Sequence, residues 1–349
     1  MNPDRQYLLG ELLKNVSRSF YLTMRVLPDG MRDPVGLAYL LARAADTIAD
    51  TELVAPERRL ELLLGFRHQV NHGADLLQLA EIRSALTAQQ INRHERTLLE
   101  SLEPALAILA ELSAHDRDEV RTIVTTLTKG MELDLRTFPD ETSGQLAALK
   151  TPAELENYTY FVAGCVGDFW TRMTAAHTAA FSGLDLPDLC ACGIRFGKAL
   201  QYTNVLRDVP KDLRMGRCYF PSDTLAAAGL EPRDLLGATN STRARPILME
   251  LLGVALDHYR EALRYTLTIP PSCGRLRLAC LWPVLIGLET LKQLADNPMW
   301  LDPDRKSKVT RHRVYTLMGI SLPIVGSDTL VTAWIERLIA DVEHRRVAR

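Results

Sequence analysis

The sequence predicts an all-α fold. Nearly every segment spaces its apolar residues at the helical period, whereas the period-two alternation of a half-buried strand is hard to find anywhere. Clusters of Gly, Pro, Asn and Asp punctuate these segments and separate about a dozen helices. With 349 residues, 47% of them hydrophobic, the chain has enough apolar material for one large helical core or two modest domains. No internal repeat, low-complexity segment or long linker divides it, so a single domain over residues 1–349 is expected.

In chain order, the breaks fall at Pro28-Asp29-Gly30, Asn71-His72-Gly73, Pro139-Asp140, residues 183–187, Pro221-Ser222, Pro270-Pro271 and Asp302-Pro303. Asp33-Pro34 supplies an N-cap and a first-turn proline, predicting a helix from there through Asp50. Thr151-Pro152-Ala153-Glu154 has the form of a capping box opening the next long helix. Pro210 falls inside a later helical pattern. An interior proline removes one backbone bond, so that helix is expected to kink or end there, leaving Asp212 near a helix end. The richest apolar stretch, Leu276 to Leu291, is interrupted by Arg277 and Glu289 and contains Pro283. No window reaches the run of about 18 uncharged apolar residues that a membrane span requires. No transmembrane segment is therefore expected, and any membrane contact is expected to be peripheral.

Forty-one basic residues against 43 acidic ones leave a net charge of -2, and no long run of Lys or Arg supplies the field that nucleic-acid binding needs. Nucleic acid is not an expected partner. Six cysteines (Cys165, Cys190, Cys192, Cys218, Cys273, Cys280) lie mostly in apolar stretches, with no CxxC pairing and no secretion signal at the N-terminus. They read as reduced core residues of a cytoplasmic protein, expected to act as a monomer. Cys190-Ala191-Cys192, without nearby His or further Cys, reads as packing rather than a metal site.

Two polar stripes carry the chemistry. Tyr39, Arg43, Asp46 and Asp50 are spaced by four, three and four residues, which places them on one face of a helix otherwise made of Leu37, Leu40, Leu41, Ala44, Ala45 and Ile48. Gln201, Asn204, Asp208 and Asp212 repeat the device with spacings of three, four and four among Leu200, Val205 and Leu206. Two carboxylates one turn apart repel by about 0.2 to 0.5 kcal/mol even when exposed. One such pair alone reads best as a solvated acidic turn. Two in matched stripes, each beside basic and amide residues, point to a cation, and oxygen-only ligands favour magnesium, with manganese the alternative.

Further residues complete a pattern: Ser17-Arg18-Ser19-Phe20, the stretch from Tyr39 to Asp50, Gly130-Met131 with Asp134, YTYFVAGCVG from Tyr158 to Gly167, and QYTNVLRDVPKDLRMGRCYFP from Gln201 to Pro221. In these stretches the chain resembles the squalene and phytoene synthase family over nearly its whole length. Asp46-Thr47-Ile48-Ala49-Asp50, the Tyr158 segment and KVTRHRVYTLM from Lys308 to Met318 look more like squalene synthases within that family. Ala279 and Val284 depart from that pattern, where an aromatic residue and a glutamine are usual, as does Thr51, where many carry another acid.

The resemblance implies a class I isoprenoid synthase-type helical bundle with a central cavity. It implies prenyl diphosphate substrates: two farnesyl diphosphates are coupled head to head through presqualene diphosphate, and NADPH then reduces the product to squalene. Asp46, Asp50, Asp208 and Asp212, with Asn204, become the magnesium ligands. Arg18, Arg43, Arg207 and Arg217 become diphosphate clamps, joined by Ser17, Ser19, Tyr39, Gln201 and Tyr219. Tyr158 stands near the reacting carbons, where an aromatic face stabilises a cation. Phe20, Phe161, Val162 and Leu200 become groove-lining candidates, and Gly164 and Gly167 allow close helix approach. Lys308, Arg311 and Arg313 fall at the cofactor-contacting loop; no GxGxxG exists to bind NADPH in another way. The rival readings are a presqualene diphosphate, dehydrosqualene or phytoene synthase without a reductive step, and a non-catalytic helical assembly factor of the same fold.

Overall fold

The computed structural model describes residues 3–17, 21, 24, 27–51, 53–87, 92–141 and 143–347. It divides into two compact units: the chain up to Arg136 with Phe169–Ala179, and Thr137–Asp168 with the chain from Ala180 onward. Both are helical.

In the first unit, α1 (Pro3–Gln6) passes through a π-helical turn (Tyr7–Leu12) into α2 (Leu13–Ser17). There follow α3 (Asp29–Ala49), α4 (Pro56–His72), α5 (Leu76–Leu86), α6 (Arg93–Glu100), α7 (Leu102–Glu111) and α8 (Ala114–Thr137). α3 packs against α2, α4, α6 and α7 and buries Leu37, Leu40, Leu41, Ala44, Ala45 and Ile48.

This helix does not start at Asp33-Pro34, as the sequence predicts, but at Asp29, with Pro28 as its N-cap. The Pro28 carbonyl accepts from the N–H groups of Met31 and Arg32, both at 3.1 Å, so the first turn is already closed when Pro34 is reached. Pro34 then removes a single donor, and its ring is buried. At the other end Asp50 is the C-cap, its N–H on the Asp46 carbonyl at 2.9 Å. The buried Arg59 of α4 donates to the Ala49 carbonyl at 3.1 Å, a cation where the helix dipole favours one.

The second unit contains α9 (Pro152–Thr159), a π-helical turn (Tyr160–Gly164) and the start of α10 (Cys165–His177), whose later part belongs to the first unit. It continues with α11 (Leu186–Arg214), α12 (Ser222–Ala227), α13 (Ser241–Thr268), α14 (Gly274–Asp296), α15 (Arg311–Ile324) and α16 (Asp328–Val347). Thr151 caps α9 as expected, accepting from the Glu154 N–H at 3.2 Å. The Glu154 carboxylate reaches one residue further than a capping box, to the Lys150 N–H at 2.6 Å.

The 29 residues of α11 give it a length of about 43 Å. It packs against α13, α14 and the π-helical turn. The approach to the π-helical turn and the start of α10 is backbone on backbone: a Cβ on Gly167 would stand 1.8 Å from the Gly193 carbonyl oxygen, and one on Gly197 would stand 2.1 Å from that of Ala163. Pro210 lies inside α11 and does not end it, but Asp212 does stand near the helix end, as expected. The helix runs on to Arg214, because the buried proline removes one donor while Met215 N–H closes the last turn on the carbonyls of Lys211 and Asp212. Gly216, at φ 79°, then reverses the chain. It leads into β2 (Arg217–Cys218), which pairs in parallel with β1 (Ala147–Ala148). Two residues per strand are too few to leave an alternating pattern in the sequence.

α14 has the length and mean hydropathy (1.3) of a membrane span, yet 67% of its most apolar window is buried within the protein. Its Arg277 is buried and donates to the carbonyls of Ile269 at 2.6 Å and Val325 at 2.9 Å, the pattern of a core helix. The six cysteines are free thiols, five of them buried; burial pushes Cys165 and Cys218 up to about 12.

Candidate active site

From Pro34 to Ala49, every residue of α3 is buried except Tyr39, Ala42, Arg43 and Asp46. The stripe read from spacing is thus the one polar edge of an otherwise enclosed helix, with exposed Asp50 at its end. Arg43 forms ion pairs with Asp46 on its own helix and with Glu95 on α6. Burial draws its pKa down, but the Asp46 and Glu95 carboxylates outweigh this and hold it above the ordinary arginine value. Its Nε is buried and has no hydrogen-bond partner among the described residues. The Tyr39 hydroxyl donates to the Val16 carbonyl at 3.4 Å, beside Ser17, which is buried with an unpartnered hydroxyl among the described residues. Arg18, Ser19 and Phe20 lie outside the described residues.

On α11 the half-buried residues Gln201, Asn204, Arg207, Asp208 and Asp212 line up between buried Tyr202, Thr203, Val205, Leu206, Val209 and Leu213. Asn204 donates to the Gln201 side-chain oxygen at 3.4 Å. Arg207 holds Asp208 with both ends of its fork, Nε to Oδ1 at 2.8 Å and Nη2 to Oδ2. That bond raises the Arg207 pKa above its ordinary value despite burial. Each stripe therefore has the same plan: the first aspartate of the pair is balanced by an arginine of its own helix.

Both pairs stand at helix C-terminal ends, Asp46 in the last turn of α3 with Asp50 as its C-cap, Asp208 and Asp212 in the last two turns of α11. Unsatisfied carbonyls make a helix C-terminus negative, so carboxylates there are opposed by the dipole as well as by each other. Among the described residues no three His, Cys, Asp or Glu side chains cluster as a complete metal cage. A pair of carboxylates with an amide is nevertheless what magnesium accepts, since it keeps waters and takes substrate phosphate for its remaining positions. The donor set fits.

The turn after α11 delivers the next residues. Gly216 has no room for a side chain, a Cβ there standing 2.7 Å from the Gln145 carbonyl oxygen. Arg217 donates to Glu141 at 2.7 Å, with both side chains largely buried. Tyr219 stacks on Tyr158, ring centroids 4.5 Å apart and planes 25° apart, and meets Phe138 edge-on at 5.1 Å. Asp212, Arg217 and Tyr219 line one narrow crevice with Val205, Val209 and Phe220. The structure thus brings Tyr158, Asp212, Arg217 and Tyr219 into one neighbourhood of the second unit.

Lys308 and Arg311 are exposed, whereas Arg313 is bound to the largely buried Glu289 of α14 at 2.9 Å. Arg313 is committed to fastening α15. Ala279 and Val284 are both buried in α14.

Spacing gave no sign of Glu95, Glu141 or Glu289, because each meets its arginine through tertiary packing between segments far apart in sequence. A network around Glu156 was missed for the same reason. Its carboxylate accepts from Lys198 Nζ and the Tyr202 hydroxyl, both at 2.5 Å, and from His258 Nε2 at 3.4 Å. Arg195 donates to His258 Nδ1 at 2.8 Å, which leaves the proton of the neutral ring on Nε2, facing Glu156. The bonds from His258, Lys198 and Tyr202 hold the Glu156 carboxyl far below the usual carboxylate range, against the effect of burial.

Comparison with known proteins places these features. A squalene synthase from Schizosaccharomyces pombe is 25% identical over 292 residues, covering 82% of this chain and 59% of its own length. The presqualene diphosphate synthase of Zymomonas mobilis is 30% identical over 246 residues, 70% of this chain and 69% of the relative. The chain spans about half to three fifths of the length of several other curated relatives. The solved structure of TcSQS with the ligand E5700 shares the fold, with a TM-score of 0.74 at 21% identity, covering 100% of this chain and 99% of that one. The family model for squalene/phytoene synthase matches residues 13–313, which include both aspartate stripes, the Tyr158 segment and the turn through Tyr219, and the chain belongs to that family.

Proposed function

We propose that this protein couples two farnesyl diphosphates head to head through presqualene diphosphate and reduces the product with NADPH to squalene. The observation that carries the reading is the repeated plan of the two stripes: an aspartate pair at a helix C-terminus, its first member held by an arginine of the same helix. Asp46 and Asp50 would hold magnesium on one stripe, and Asn204, Asp208 and Asp212 on the other. Magnesium, when bound, neutralises the diphosphate so that the allylic carbon–oxygen bond can break. Arg43 and Arg207 would present planar forks to diphosphate oxygens. Arg217 is oriented for the same task by Glu141. The Tyr158 ring, stacked on Tyr219, offers its face to the allylic cation, an interaction that grows only as charge develops.

Lys308 and Arg311 are the residues suited to a cofactor phosphate, and NADPH would supply the hydride of the final step. A second reading, a synthase that stops at presqualene diphosphate, is favoured by the likeness to the Zymomonas mobilis protein and by the commitment of Arg313 to Glu289. Incubation with farnesyl diphosphate and magnesium, with and without NADPH, separates the two. Squalene formed only with NADPH is the expected result; presqualene diphosphate as the end product in both arms overturns the reductive step.

A further inference from the structure

Helix α15 (Arg311–Ile324) is apolar on both sides. Its inner side is fastened: Leu317 and Ser321 are buried, Trp282 donates to the Ser321 hydroxyl at 2.9 Å, and Arg313 is held by Glu289. Arg277 secures the turn beyond it through the Val325 carbonyl and Asp328. The outer side is therefore a finished surface, not one waiting to fold inward. Yet past the first turn that side holds Tyr315 (68% exposed), Gly319, Leu322 (58%) and Pro323, spaced by three and four residues on one face, with Ile320 (47%) at the edge of that face. Leu330, in the first turn of α16, is 51% exposed. Among the described residues, four of the twelve exposed large apolar side chains fall within residues 315–330. A helix apolar all round is normally covered on all sides.

The charges nearby identify the cover. Arg305, Lys306, Lys308, Arg311 and His312 are exposed and lie just before or in the first turn of α15, and the segment from Arg305 to Ile324 contains no Asp or Glu. Basic residues beside an uncharged apolar helix face are the complement of an anionic lipid surface, where cations meet headgroups and the apolar side enters the acyl boundary. A second copy of the chain would meet this face with the same cations and no carboxylate on the helix to balance them. We propose that the outer face of α15, with the basic segment 305–312, docks the protein on an anionic lipid bilayer. Lys308 and Arg311 of this segment are also the residues proposed above for the cofactor phosphate; the apolar face, Arg305 and Lys306 have no part in that reaction and carry the test.

The test is co-sedimentation of the full chain, without NADPH, with vesicles of phosphatidylcholine alone or mixed with phosphatidylglycerol. The wild type is expected to pellet with the mixed vesicles and more weakly with the neutral ones. The triple variant Tyr315→Asn, Ile320→Asn, Leu322→Asn should bind at least tenfold more weakly, roughly the effect of one apolar side chain left in water. The variant Arg305→Gln, Lys306→Gln should lose about fivefold per cation on mixed vesicles only. Both variants alter exposed side chains, and unchanged circular dichroism and turnover in detergent verify that they fold. Absence of wild-type pelleting, or pelleting unchanged in the triple variant, overturns the proposal. So does a lipid-free dimer in sedimentation velocity that the triple variant disperses, since the face would then serve a second copy.

Discussion

At the scale of single residues, the molecule balances charges that the sequence shows only in part. Asp46, Arg43 and Asp208 were legible because residues three and four apart share a helix face; Arg207, next to Asp208 in sequence, was named only through the family resemblance. Glu95 and Glu141 were not, since no local pattern links residues 52 or 76 positions apart. Glu156 is the most heavily bonded of the residues that went unread. Its folded-state pKa lies below its unfolded value, so the stability it contributes is full above the unfolded pKa, about 4.3. That contribution is lost as pH falls toward the folded value. Because the carboxylate is 36% exposed, its bonds are partly screened, and Glu156→Gln is expected to cost about 1 kcal/mol at pH 7. Urea midpoints of wild type and variant should differ at pH 7 and converge below about pH 4. A gap that persists undiminished to pH 3 contradicts the assignment.

At the scale of elements, the Gly and Pro breaks placed most helix boundaries, because these residues act on the backbone directly. They failed where a neighbouring turn was already closed: Pro34 sits inside α3 and Pro210 inside α11, each removing one bond from a helix secured at its end by other donors. The π-helical turn at Tyr160–Gly164 had no signature at all, yet it brings the Tyr158 segment onto α11. The contact there has no slack. Gly197→Ala places a methyl 2.1 Å from the Ala163 carbonyl oxygen, and the helices must part to admit it. The expected loss is about 1 to 3 kcal/mol in chemical unfolding. Gly65→Ala, at an open position on α4, should change little and serves as the control.

At the scale of the whole molecule, composition and periodicity established the helical class, and family likeness adds the reaction now proposed. Ligands that bind only the folded state raise its stability with the logarithm of the ratio of their concentration to the dissociation constant. Magnesium with a non-reactive farnesyl thiodiphosphate, at about a hundred times its dissociation constant, should add about 2.7 kcal/mol. Calorimetry is expected to show the upward shift of the unfolding temperature in the wild type and its loss in Asp208→Asn. An equal shift in the variant removes Asp208 from the metal site.

The long helix α11 joins these scales in one further respect. Gly197 is locked against Ala163 near its middle, and Asp208 and Asp212 lie eleven and fifteen residues beyond. Inserting or deleting one residue in that interval would turn everything after it by about 100° and shift it by about 1.5 Å. Helix propensity and composition would survive such a change; the carboxylates would point elsewhere. The number of residues between the locked glycine and the acids therefore decides which way the acids face, a property that no single side chain carries.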